Sequence, residues 1–229
     1  MNIDVIICHV KDVLYPQWMH RMNKDRDLFG KIIVMMTQSA SDRDYTEYLQ
    51  SKLRRLSVIR EYRHDSPDWR DAAIKEALFE TRGDRVLFLE QDFLVEDEFF
   101  KELLEVSKPY NTVGFRDGNR FHPACLLVRQ SAIAKTRKDF SVDPDVGDHF
   151  YKFTQDLEKI GNCASLKDFK LPKWEHISGL TQNYRLTNNF YHPKRFYDYL
   201  MDSLEYDQPE DWRLFTIKKA KEVKNETRT

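Results

Sequence analysis

Residues 85–92 read RVLFLEQD, and the order of residue types in this short stretch decides the fold. Val86, Leu87, Phe88 and Leu89 are consecutive apolar residues with no polar alternation. That pattern suits a strand buried on both faces, as in a parallel sheet covered by helices. Glu90 and Asp92 follow at once, separated by Gln91. In an extended chain both acids point to the same side. Ligands of open parallel sheets bind in the crevice beyond the carboxyl ends of the strands. Acids placed there suit a divalent metal ion better than they suit packing.

Upstream, residues 68–82 have helical spacing, with an apolar stripe of Ala72, Ala73, Ala77 and Leu78. Gly83 ends that helix, and the strand starts two residues later. Apolar runs at 3–8 and 31–37 predict two more buried strands, and a short fourth begins at Val58. Between them, residues 15–29 (Trp18, Met22, Leu28) and 45–56 (Tyr45, Tyr48, Leu49, Leu53, Leu56) predict helices, the first ended by Gly30. This alternation predicts an α/β fold: a Rossmann-like, mostly parallel sheet flanked by helices. Downstream of Asp92 a helix is expected through Leu104, with Glu96, Asp97 and Glu98 at the positive end of its dipole. Residues 112–115 and 124–128 predict two short strands about a solvated loop, 116–123, that carries Arg116, Asp117, Arg120 and His122.

Composition agrees with a single domain spanning 1–229. The 229 residues are 41% hydrophobic, 13% aromatic and 33% charged, as in a folded globular chain. No apolar run approaches the roughly 20 residues that cross a bilayer, so no transmembrane segment is expected. The first residues, MNIDVII, lack a basic segment and a cleavage site and read as a strand. A formal charge of −1 recommends no polyanion as partner. Cys8, Cys125 and Cys163 are odd in number and lack metal-type spacing, which fits reduced thiols in a cytoplasmic protein.

The succession of helix, short turn, apolar strand and Glu90-Gln91-Asp92 resembles the GT-A nucleotide-sugar glycosyltransferases, particularly family 2. The family usually has Asp as the first acid of this element, where Glu90 stands here. The resemblance implies that Glu90 and Asp92 hold Mn2+ or Mg2+ against the diphosphate of a nucleoside-diphosphate sugar donor. It also implies that His9 and Asp12, with Lys11, lie in a loop that meets the nucleoside, and that Arg70 approaches the donor phosphates. Residues 144–161 resemble the family's acidic motif, in which Asp148 opens a helix and acts as catalytic base. That helix shows Phe150, Phe153, Leu157 and Ile160 at helical spacing and stops at Gly161. Gly147 stands where the family has a further acid, and Asp148 also suits a helix cap. In residues 174–181, His176 matches the histidine that completes the metal shell, with His192 as its rival.

The expected function is therefore transfer of a sugar from the donor to an acceptor hydroxyl, with inversion. Residues up to about 110 would bind the donor, and those from about 111 the acceptor. The acceptor is left open among glycan, lipid-linked, protein and modified nucleic-acid classes. Two other readings stand beside this one: a non-catalytic nucleotide-sugar or glycan binding module of the same fold, and a nucleotidyltransferase. Residues 9–14 contain no glycine, which counts against the nucleotidyltransferase. A basic, aromatic stretch at 210–229 reads as a solvated helix.

Overall fold

A computed structural model describes residues 3–10, 25–37, 56–61, 69–90, 93–146 and 149–176. Its main sheet has seven strands: β1 (Ile3–Val10), β2 (Phe29–Thr37), β3 (Leu56–Glu61), β4 (Arg85–Glu90), β6 (Thr112–Asp117), β7 (Arg120–Arg129) and β8 (Cys163–Ser165). They lie in the order β3-β2-β1-β4-β7-β6-β8. β1 pairs in parallel with both β2 and β4, so the three strongest apolar runs are parallel neighbours as expected. β7 runs antiparallel to β4 and β6, while β8 returns to parallel pairing with β6. The sheet is thus mostly parallel and the fold is α/β. A second, two-stranded sheet pairs β5 (Phe93–Val95) antiparallel with β9 (Trp174–His176).

Helices cover both faces, which is why the central strands are mostly apolar on both sides. Alternate residues Ile3, Val5, Ile7, Leu87 and Leu89 pack with Phe99, Phe100, Leu103 and Leu104 of α2 (Phe99–Val106). Their neighbours Ile6, Val86 and Phe88 pack on the opposite face with Ala73, Ile74, Ala77 and Leu78 of α1 (Trp69–Glu80). A short helix, α3 (Gln130–Ile133), follows β7. α4 (Tyr151–Ile160) joins the α1 face, where Phe88 meets Phe150 and Phe153 edge to face. Each phenylalanine buried in this way contributes about 1.5–3 kcal/mol. Gly161 ends α4 at φ 80°, a left-handed conformation that glycine adopts without strain.

At the amino ends of the strands polar groups are tied down. The Asp4 carboxylate accepts from the backbone N–H groups of Lys31, Arg82 and Gly83 at 2.8, 2.5 and 2.7 Å. Buried Arg85 donates to the carbonyls of Ser107 and Tyr110 just beyond α2. Burial first, and then the nearby Arg129 guanidinium, lower its pKa to about 10. On the α4 side, Arg137 holds both oxygens of Asp156 at 2.8 Å, which keeps that carboxyl below its ordinary range.

Several expectations need correction. β1 runs on through Val10, so His9 belongs to the strand and not to the loop after it. Gly30 is no helix stop: Phe29 and Gly30 already belong to β2, preceded by a single 3-10 turn, Arg26–Leu28. Phe29 is drawn in by Phe100, 5.5 Å away edge to face. In α1 Ile74 joins Ala73, Ala77 and Leu78 in the buried stripe, and Ala72 is exposed. Before α2, β5 intervenes, and Glu98 takes φ 65° without capping the helix through its side chain. The expected loop 116–123 is largely strand, because β6 and β7 are joined through residues 118–119. The helix expected over 45–56 falls outside the described residues, apart from Leu56, which starts β3.

Candidate functional site

Glu90 is the last residue of β4, and its backbone lies level with Cys8 of β1 at the carboxyl end of the parallel strands. Two other elements bring histidines to the same place. β7 pairs with β4 as far as Leu89↔Cys125, so its amino-terminal part, with His122, continues past the end of β4. β9 lies against β5 with His176 opposite Phe93, three residues after Glu90. The chain thus turns back twice on the end of one strand, and each return carries an imidazole.

His176 Nε2 lies 3.5 Å and His122 Nδ1 4.0 Å from Glu90 Oε2. One ligand atom from each of Glu90, His122 and His176 falls within 4.8 Å of the others. Their side chains are 20%, 19% and 11% exposed, enough for a small ion or a phosphate oxygen to enter. An aromatic wall backs the group. Phe115 lies edge to face with His176 at 5.1 Å and with His122 at 5.9 Å. Phe93 stacks on Trp174 at 5.5 Å, and Phe115 meets the same indole at 5.7 Å. Such a wall lowers the local dielectric and strengthens charge interactions within the site.

The chemistry of this donor set fits a divalent cation. A carboxylate oxygen and two imidazole nitrogens converge on one point, and each offers a lone pair to a Lewis acid. Of the residues expected at the metal, the structure brings together Glu90 and His176. Asp92 and Asp148 lie outside the described residues, as do Asp12 and His192. His9 in β1 and Arg70 in the first turn of α1 are described in their backbone alone. His122 falls in the loop expected over 116–123, and its residue type and spacing do not mark it as a ligand; only the fold of β6 and β7 brings it beside Glu90.

No protein-family model matches this chain, and no curated protein matches it either. Solved structures do. A mannosyltransferase of Pyrobaculum calidifontis, solved with GDP-Man and Mn2+, is similar at TM-score 0.58 and 11% identity, over 95% of this chain and 68% of that one. TarS of S. aureus, solved with UDP-GlcNAc, is similar at TM-score 0.52 and 15% identity, over 93% of this chain and 69% of the other. Glucosyl-3-phosphoglycerate synthase of Mycobacterium tuberculosis, solved with Mn2+, UDP-Glc and phosphoglyceric acid, gives TM-score 0.54 and 12% identity, over 80% and 74%. At such identities the likeness is one of chain path, and the fold of this chain is the GT-A glycosyltransferase fold.

Proposed function

We propose that this chain is a metal-dependent glycosyltransferase that moves a sugar from a nucleoside-diphosphate donor to an acceptor hydroxyl, with inversion. The observation that carries the reading is Glu90, at the carboxyl end of a buried parallel strand, 3.5 Å from the His176 imidazole. The likeness to glycosyltransferases solved with nucleotide sugars supports it.

In this reading Glu90, Asp92 and His176 hold Mn2+ or Mg2+. The ion, when bound, neutralises charge on the departing nucleoside diphosphate. Residues up to about 110 bind the donor, with His9 and Asp12 toward the nucleoside and Arg70 toward the phosphates. Residues from about 111 take the acceptor. Asp148 removes the proton from the acceptor hydroxyl as that oxygen attacks the anomeric carbon from the face opposite the leaving group. The Phe93, Phe115 and Trp174 wall backs the metal side of the site and lowers the dielectric there, so charge on that side is less screened.

A thermal-shift panel of UDP and GDP, with and without Mn2+, tests the reading. A ligand that binds only the folded chain raises its Tm. One nucleoside diphosphate should stabilise the chain in the presence of Mn2+, and Glu90→Ala should remove the Mn2+-dependent part. If neither nucleotide shifts Tm with Mn2+ present, the donor site as drawn is wrong.

A further inference from the structure

We propose that His122 is a further protein ligand for the divalent ion, beside Glu90, Asp92 and His176, and that the pair of imidazoles next to Glu90 selects a transition-metal ion over Mg2+. The proposal rests on the reading above insofar as it concerns the same ion.

Placement of His122 depends on a break in the sheet. β6 and β7 pair at Gly114↔Leu126 and again at Arg116↔Phe121, with a register shift between. Across that interval Phe115 alone, on β6, faces residues 122–125 of β7. This is a bulge, a device that re-aims side chains and recurs beside active sites. Pro123 sits within it, where the missing N–H breaks no regular ladder. The surplus length carries the His122 ring to 5.1 Å from that of His176 and 5.9 Å from Phe115.

The bulge also places a backbone donor at the ring. The Ala124 backbone N–H donates to His122 Nδ1 at 3.1 Å. A nitrogen that accepts a bond carries a lone pair and no proton. This is the same nitrogen that lies 4.0 Å from Glu90 Oε2; it has one lone pair, so coordination through Nδ1 exchanges the Ala124 hydrogen bond for the metal.

The donor types then decide the metal. Mg2+ takes oxygen ligands and keeps its waters, whereas imidazole suits transition ions. Carboxylates with a single histidine leave room for either kind. A second imidazole tips the site toward Mn2+ and, by the usual order of divalent affinities, further toward Co2+ and Zn2+.

The test uses the full chain stripped of metal, titrated calorimetrically with MnCl2 and with MgCl2. Spin-echo modulation of bound Mn2+ counts the coordinated imidazole nitrogens. The wild type should bind Mn2+ at least about tenfold more tightly than Mg2+, with modulation from two imidazoles. His122→Phe keeps a ring against Phe115; it should weaken Mn2+ by at least about tenfold, leave Mg2+ nearly unchanged and reduce the nitrogen count to one. Wild-type Mn2+ affinity in His122→Phe, or one imidazole in the wild type, overturns the proposal. If His122→Phe fails to fold, the wild-type nitrogen count decides by itself. Failure here leaves the nucleotide-dependent Tm shift and its loss in Glu90→Ala intact, whereas failure of the glycosyltransferase reading removes both.

Discussion

Asp4 lies near the amino end of β1, almost fully buried, with its two oxygens taken by three backbone N–H groups. Glu90 stands at the other end of the adjacent strand and faces two imidazoles. Both are carboxylates on apolar strands, and their partners separate their roles. Backbone amides around Asp4 make it a clip that joins the start of β2 and the turn after α1 to β1. Asp4→Ala strands those donors, so stability should fall by about 3 kcal/mol in urea unfolding. Mn2+ affinity of the folded variant should not change, because the clip lies at the far end of the sheet. A variant as stable as wild type would show that water replaces the carboxylate without loss. At this scale the sequence was legible for Glu90 and His176, whose types and order are unusual. It was silent on Asp4, because nothing local tells an acid inside an apolar run which distant amides it will meet.

Hairpin β6–β7 is the element on which reading and structure differ most. Its residues 116–123 are polar enough to pass for a loop, yet they pair beyond the end of β4, where one face is open to solvent. Arg116 is held there by Glu158 at 3.1 Å and lies over the Phe121 ring, 4.0 Å from its centroid. Strand residues with such long-range partners give no alternating signal, and a bulge leaves no mark on hydrophobic periodicity. The hairpin also depends on close approach at Gly114, where an added Cβ would lie 2.7 Å from Leu126 Cδ1 and 3.0 Å from the Cys125 carbonyl oxygen. Gly114→Ala should therefore cost about 1–3 kcal/mol, the usual range for overpacking. Leu126→Val in the same chain removes the nearest of the three obstacles, the third being Phe121 Cδ1 at 3.2 Å, so the double variant should be more stable than the sum of the single changes. Strict additivity in chemical denaturation would remove Leu126 from the explanation.

For the molecule as a whole, the parallel core was the most legible feature, because burial on both faces leaves unbroken apolar runs at 5–8, 32–36 and 86–89. The order of the strands depends on contacts across the whole sheet, and the antiparallel insertion of β7 between β4 and β6 had no local signature. That insertion matters for function, since it brings the chain after residue 111 back to the end of β4. If the donor is held on the β4 side and the acceptor on the later side, the two tasks are separable by mutation. The expectation that Asp148 caps the helix is not met, because α4 begins at Tyr151 with Phe150 as its N-cap; Asp148→Asn keeps size and polarity and loses the proton acceptor. Transfer should fall by roughly two to four powers of ten, the range for loss of a general base. The Mn2+-dependent Tm shift with nucleoside diphosphate should stay at its wild-type size, and the wild-type product should have inverted anomeric configuration. A fully active Asp148→Asn enzyme would remove Asp148 from catalysis, and a retained configuration would rule out direct attack by the activated hydroxyl. A variant that loses nucleotide binding together with transfer would instead show that the two halves share one site and cannot be divided near residue 111.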